Sequence, residues 1–137
     1  MVSSAEKYPG DVAIIAIGPL TNLALAYHSS YSFAEKVGFI SLMGGSISGF
    51  GIRQFFAAEF NFFLDAEAAH IVFEVFPKIC VNSFDLSFDL GTKKTLSLFV
   101  DESTPKGKLI HDIHSVILQT HRPSVCDPLA CIAVFSP

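Results

Sequence analysis

Asp11-Val12-Ala13-Ile14-Ile15-Ala16-Ile17-Gly18-Pro19-Leu20-Thr21-Asn22 is the stretch that decides the fold. It opens with a near-continuous apolar run, the pattern of a strand buried on both faces, as in a parallel sheet. Gly18 permits a sharp turn, and Pro19 suits a first helical position. Leu20, Leu23, Ala24 and Tyr27 then recur as a short helical stripe. The order is strand, tight loop, helix. In open α/β sheets ligands bind beyond the carboxyl ends of the strands, so the Ile17-Gly18 junction is a candidate site edge.

Downstream, Ser29–Phe33 reads as a loop or broken helix, and Lys36–Met43 as a second strand ending in Gly44-Gly45. Paired glycines there allow a turn or a close backbone approach. Ser46–Phe56 carries Gly49 and Gly51 and suits either a flap over a pocket or a plain surface connection. Asp65 is placed to cap a helix of Ala66–Phe73, which Pro77 stops. Ile79–Phe84 reads as a third strand closed by Asp85-Leu86-Ser87. Asp85 is read as a turn acid bonding its own backbone, with a site role as the other option.

Thr95–Val100 suggests a short helix, and Thr104-Pro105 opens a longer one to about Thr120. Its Leu109, Ile110, Ile113, Val116, Ile117 and Leu118 are expected mostly inward. His111, His114 and His121 share one side and are read as solvated, since no further metal ligand accompanies them. Asp127, before Pro128, is expected to cap a last helix.

Ala58-Glu59-Phe60-Asn61-Phe62 carries the most chemistry. A carboxylate accepts hydrogen bonds from hydroxyls, and a carboxamide both donates and accepts, so the pair could grip a polyol. By spacing alone, Glu59 and Asn61 read as the polar face of a strand alternating with Phe60 and Phe62.

At 137 residues the chain holds at most one domain, and its 50% hydrophobic content predicts a sizeable core. The net charge of −4, with no Lys/Arg run, argues against a nucleic-acid partner. No apolar run is long enough to cross a membrane, and Met1–Asp11 lacks a signal-peptide core. Cys80, Cys126 and Cys131 form no CxxC and read as reduced thiols of a cytoplasmic protein. Fourteen Phe and a mean hydropathy of +0.48 suggest more apolar surface than the chain covers alone. That fits a piece of a larger domain or a homo-oligomer subunit.

The order of motifs is more specific than any one. Ala16-Ile17-Gly18-Pro19-Leu20-Thr21-Asn22-Leu23-Ala24, Leu42-Met43-Gly44-Gly45, Ala58-Glu59-Phe60-Asn61-Phe62 with Asp65-Ala66-Glu67-Ala68-Ala69, and Asp127-Pro128 together resemble the inosine/uridine-preferring nucleoside hydrolases. The resemblance implies an α/β fold with an open, largely parallel sheet flanked by helices. It implies hydrolysis of the N-glycosidic bond of ribonucleosides in purine or pyrimidine salvage, with a bound Ca²⁺. On the matching positions it implies Met43, Glu59 and Asn61 as ribose contacts. The Ile17 carbonyl and Asp127 become calcium ligands, and Cys126 stands where many members place a His that protonates the leaving base. Calcium takes six to eight oxygens, carbonyls and carboxylates among them.

The chain departs from the family pattern in several places. The Asp-x-Asp-x-Gly-x-Asp-Asp calcium motif is absent, and no Asn stands near Gly51-Ile52-Arg53. A thiol at Cys126 is a poorer acid toward a purine than an imidazolium. Residues 1–137 are therefore expected to be a partial domain lacking the N-terminal Asp-rich motif and the C-terminal part, weak or inactive alone. The alternative is a non-catalytic nucleoside- or ribose-binding or interaction module.

Overall fold

The computed structural model describes residues 1–49, 58–90, 100–120 and 125–135, with the backbone alone at 88–90 and 118–120. The expected helix over Thr95–Val100, His121 and most of the Ser46–Phe56 loop lie outside them. The elements in order are α1 (Val2–Lys7), β1 (Val12–Ala16), α2 (Thr21–Ser29), α3 (Phe33–Lys36), β2 (Val37–Met43), α4 (Phe60–Leu64), α5 (Ala66–Val75), β3 (Ile79–Asn82), α6 (Phe84–Leu90), α7 (Pro105–Thr120) and α8 (Cys126–Phe135).

The strands form a parallel sheet in the order β1-β2-β3. Ile14 pairs with Ile40 and Ile40 with Ile79, so one sheet face is aliphatic. Helices α2 and α5 pack together, and Leu23, Ala24, Ala68, Ala69 and Val72 from them join Ile40 and Leu42 in the main core. Their small residues let the helices sit close. Phe33 and Phe76 meet edge to face at 5.7 Å within the same core.

The opposite face carries Ser41 and Met43 and is covered by α8, which crosses all three strands. Ser41 is fully buried, and its hydroxyl donates to the Ala130 carbonyl of α8 at 2.7 Å. The Asn82 amide donates to Ser41 Oγ at 3.1 Å and to the Leu42 carbonyl at 3.2 Å. A buried hydroxyl between two partners costs little, whereas an unpaired one would be expensive. This network fixes how α8 sits above the strand ends.

Several expectations are corrected. β1 is not buried on both faces: Ile15 is 39% exposed, and Ile17 just after the strand 48%. Helix α8 seats mainly over β2 and reaches β1 less, so that side of β1 is only partly covered among the described residues. Helix α7 has the expected extent, and Thr104 Oγ1 caps it by accepting from the Gly107 N–H at 3.0 Å. Its apolar stripe is not inward, however; Leu109 is 60% and Val116 62% exposed. Periodicity reveals an apolar face but not what lies against it. The third strand stops at Asn82, and Phe84 already begins α6. The three cysteines are free thiols.

Candidate functional site

Glu59-Phe60-Asn61 is not a strand. Glu59 has extended backbone and is the N-cap of α4, while Asn61 sits in that helix's first turn. The alternation of polar and aromatic residues lost to local hydrogen bonding, because the Glu59 side chain reaches its own helix start. Its Oε1 and Oε2 both accept from the Asn61 N–H at 2.9 Å, and Oε2 also accepts from the Phe62 N–H at 3.2 Å. These are orphan donors of a helix start, so a carboxylate there also meets the positive helix end.

The same Oε2 accepts a third bond, the carboxylate's fourth, from the Gly45 N–H at 3.1 Å. Gly45 follows β2, so one carboxylate joins the turn after the strand to the start of α4. Both glycines of that turn are required, though for a different reason than ligand approach. Gly45 has φ +76, and a Cβ on Gly44 would lie 2.3 Å from the Phe62 ring. The Phe62 ring occupies the space where side chains at Gly44 and Gly45 would otherwise stand.

Asn61 completes the cluster. Its Nδ2 donates to the Met43 carbonyl at 3.0 Å and approaches Met43 Sδ at 3.2 Å. Asn61 thus joins neighbouring Glu59 to Met43, eighteen residues away, and all three are buried, Glu59 to 2% exposure. The Asn61 amide nitrogen is occupied, and Oε2 of Glu59 is saturated. Among the described residues, the side-chain oxygens of the pair with acceptor capacity left are Asn61 Oδ1 and Glu59 Oε1. Both suit a donor such as a hydroxyl.

Helix α6 borders this cluster. The Phe84 N–H donates to the Gly45 carbonyl at 2.9 Å, and Met43 packs with Phe84, Ala130 and Cys126. Cys126 is partly buried, and its thiol donates to Ser87 Oγ at 3.0 Å. Asp127 stands within the first turn of α8 rather than at its N-cap. Pro128 needs no N–H in a first turn, so the helix starts earlier than the Asp-Pro pair suggested. Since Cys126 packs against the cluster of Met43, Phe84 and Ala130 at the end of β2, the neighbouring Asp127 lies toward the carboxyl edge of the sheet, as does Ile17 after β1.

The calcium site tests poorly against these donors. Ile17 and Asp127 offer too few oxygens for an ion that takes six to eight. Among the described residues no group of three or more His, Cys, Asp or Glu could hold a metal. The described residues by themselves do not fit a tightly held calcium ion.

Two features were not legible in the sequence as site elements. Asp85 bonds its own backbone N–H, as a turn acid does, but its larger partners lie in a distant segment. Its carboxylate accepts from the Ile47 N–H at 2.8 Å, the Ser48 N–H at 3.1 Å, the Ser46 hydroxyl at 3.3 Å and the Ser48 hydroxyl. The Ser48 hydroxyl, then the Ile47 N–H, hold the Asp85 carboxyl well below the usual carboxylate range. The other is Thr21, whose hydroxyl donates to Asp65 while Asp65 caps α5 through the Ala68 N–H at 3.0 Å. The Thr21 hydroxyl, and then the Ala68 N–H, lower the Asp65 pKa. The signal for Thr21 is its place one turn into the Gly-Pro-Leu-Thr-Asn segment; for Asp85 only its serine-rich partner loop could have hinted.

Parallel strands, crossing helices and a carboxylate-carboxamide cluster at the strand ends define an α/β protein with a candidate site at the carboxyl edge of its sheet. The chain belongs to the inosine-uridine preferring nucleoside hydrolase family, whose model matches residues 1–137. It is 36% identical to uridine nucleosidase 1 of Arabidopsis thaliana over 140 aligned positions, covering 96% of this chain and 41% of that protein. It is 33% identical to the pyrimidine-specific ribonucleoside hydrolase RihB of Escherichia coli, covering 81% of this chain and 35% of that one. Among solved structures, a plant nucleoside hydrolase, PpNRh1, superposes with a TM-score of 0.81 at 28% identity, covering 99% of this chain and 45% of that one. The purine-preferring ribonucleoside hydrolase of Gardnerella vaginalis gives a TM-score of 0.76 at 27% identity, covering 99% and 46%. The chain thus spans less than half the length of these relatives. Among the described residues no helix is long and apolar enough to cross a membrane.

Proposed function

We propose that this chain supplies the sugar-binding part of a ribonucleoside hydrolase, an enzyme that splits the N-glycosidic bond to ribose and free base. The observation that carries this reading is the convergence of Met43, Glu59 and Asn61 into one buried cluster. Its spare polar atoms, Asn61 Oδ1 and Glu59 Oε1, are acceptors. They match the hydroxyl protons of a neutral sugar and would repel a phosphate. The substrate class is accordingly the nucleoside rather than the nucleotide. Cleavage of such a bond passes through an oxocarbenium-like state, in which oriented hydroxyl contacts strengthen. In this reading Glu59 and Asn61 hold and orient the ribose, and Met43 lies against it.

Ile17, through its carbonyl, and Asp127 are the proposed calcium ligands of the whole protein, and further oxygens must come from elsewhere. Cys126 stands near the cluster, but its proton is engaged by Ser87 Oγ. A thiol held this way is a weak donor to a departing base, and we assign it no proton-transfer step. A second reading, a nucleoside-binding module without catalysis, is favoured by the short donor set at the metal position.

Free base released from uridine and inosine, with and without added Ca²⁺, tests the first reading, alongside equilibrium binding of both nucleosides. Turnover that Asp127→Ala abolishes supports the hydrolase. Binding without turnover supports the module. Neither binding nor turnover by a protein containing this chain would refute both.

A further inference from the structure

We propose that Asp85 is a positioning residue for the sugar-binding cluster, holding the segment after β2 in the shape that cluster requires. The inference rests on the reading of Met43, Glu59 and Asn61 as sugar contacts. The segment leaves Met43 and is fastened step by step. The Gly44 N–H donates to the Asn82 carbonyl at 3.2 Å. Gly45 is gripped at both ends, its N–H by Glu59 Oε2 at 3.1 Å and its carbonyl by the Phe84 N–H at 2.9 Å. Beyond it, Ser46, Ile47 and Ser48 are fastened by the Asp85 carboxylate.

The stretch that Asp85 holds is bracketed by Gly45 at φ +76 and Gly49 at φ +73. Glycine moves between backbone basins more freely than any other residue, so both ends can pivot. Ile47 is 92% exposed and contributes no packing that would fix the stretch. Among the described residues, the charge-assisted hydrogen bonds of the Asp85 carboxylate are what hold it. Asp85 itself is held by the first turn of α6, which also supplies the Phe84 N–H. A shift of α6 or loss of its carboxylate would therefore reach Gly45, and through Gly45 the Oε2 of Glu59. Asp85 touches no proposed substrate atom; it acts through the turn.

The test compares the unaltered protein with Asp85→Asn and Asp85→Ala, with Ser48→Ala as a milder lesion. Asp85 is partly exposed and outside the main core, so these variants are expected to fold. Amide hydrogen exchange at Ile47 and Ser48 should accelerate about tenfold or more in Asp85→Ala, less in Ser48→Ala. The KM or Kd for uridine and inosine should rise about tenfold, with kcat changed less than about twofold. Asp85→Glu should restore part of the loss. Unchanged exchange and unchanged affinity overturn the inference. Faster exchange with unchanged affinity also overturns it, since Asp85 would then only order a loop. If the unaltered protein binds no nucleoside, the sugar-site reading fails and the role assigned to Asp85 fails with it. Affinity that falls in Asp85→Ala while the unaltered protein binds supports both.

Discussion

Glu59 combines two roles that one substitution can separate. Its carboxylate caps α4 and grips Gly45, and one oxygen, Oε1, retains acceptor capacity for a sugar hydroxyl. Glu59→Ala strips the acceptor from the N–H groups of Asn61, Phe62 and Gly45, in a residue only 2% exposed. Lost capping costs about 1 kcal/mol, and each buried donor left unsatisfied about 1–2 kcal/mol more. A total of about 3–5 kcal/mol follows, allowing for partial relaxation toward water. Glu59→Gln differs. Placing its amide oxygen where Oε2 stands keeps the bonds to Gly45 and Phe62, and the amide NH2 takes the Oε1 place. The reverse rotamer would set that NH2 against the same N–H groups, so the first is favoured. The expected stability loss is about 1 kcal/mol, and the sugar meets a donor where it needs an acceptor. Affinity for uridine or inosine should then fall about tenfold, the worth of one hydrogen bond to a charged group. Urea unfolding measures the first quantity and equilibrium nucleoside titration the second. Losses below about 0.5 kcal/mol for both variants would sink the capping role. A Gln variant that binds as well as the unaltered protein would sink the sugar contact.

Other expectations follow from the same geometry. Gly44→Ala should destabilise by about 1–3 kcal/mol, because its Cβ would stand 2.3 Å from the Phe62 ring. Pairing it with Phe62→Leu should recover part of the loss in a double-mutant cycle. Gly45→Ala, at φ +76, should cost about 1 kcal/mol or more by thermal unfolding. Ser41→Ala should cost about 1–3 kcal/mol, since the Asn82 amide loses an acceptor and the Ala130 carbonyl a donor. The folded pKa of Asp85 lies below its ordinary 3.8, so its contribution is present above that value and lost only as pH falls through the depressed one. The Ile47 and Ser48 amide resonances should therefore stay fixed from neutral pH down to about pH 4 and move only in stronger acid. Movement centred on an ordinary carboxyl value would show that Asp85 does not hold them.

The sequence alone determined a good deal. The apolar run of Val12–Ala16, the Gly-Pro step and the stripe of α2 announced a parallel α/β sheet, because apolar patterning and backbone chemistry are local properties of these residues. The motif order pointed to the family and singled out Met43, Glu59 and Asn61. What it could not supply was depth and partnership. Period-2 spacing suggested that Glu59-Phe60-Asn61 was a strand face, whereas a side chain reaching its own helix start made it a cap. The apolar stripe of α7 was real, yet periodicity does not say what covers it. Asp85 was legible as a turn acid, but the sequence did not show that folding would also bring Ser46–Ser48 to it across nearly forty residues. Contacts between distant segments depend on how strands and helices stack, and only the tertiary structure decides that. It turned a carboxylate and a carboxamide two residues apart into one buried cluster with Met43, its spare acceptors set apart from those the backbone already uses.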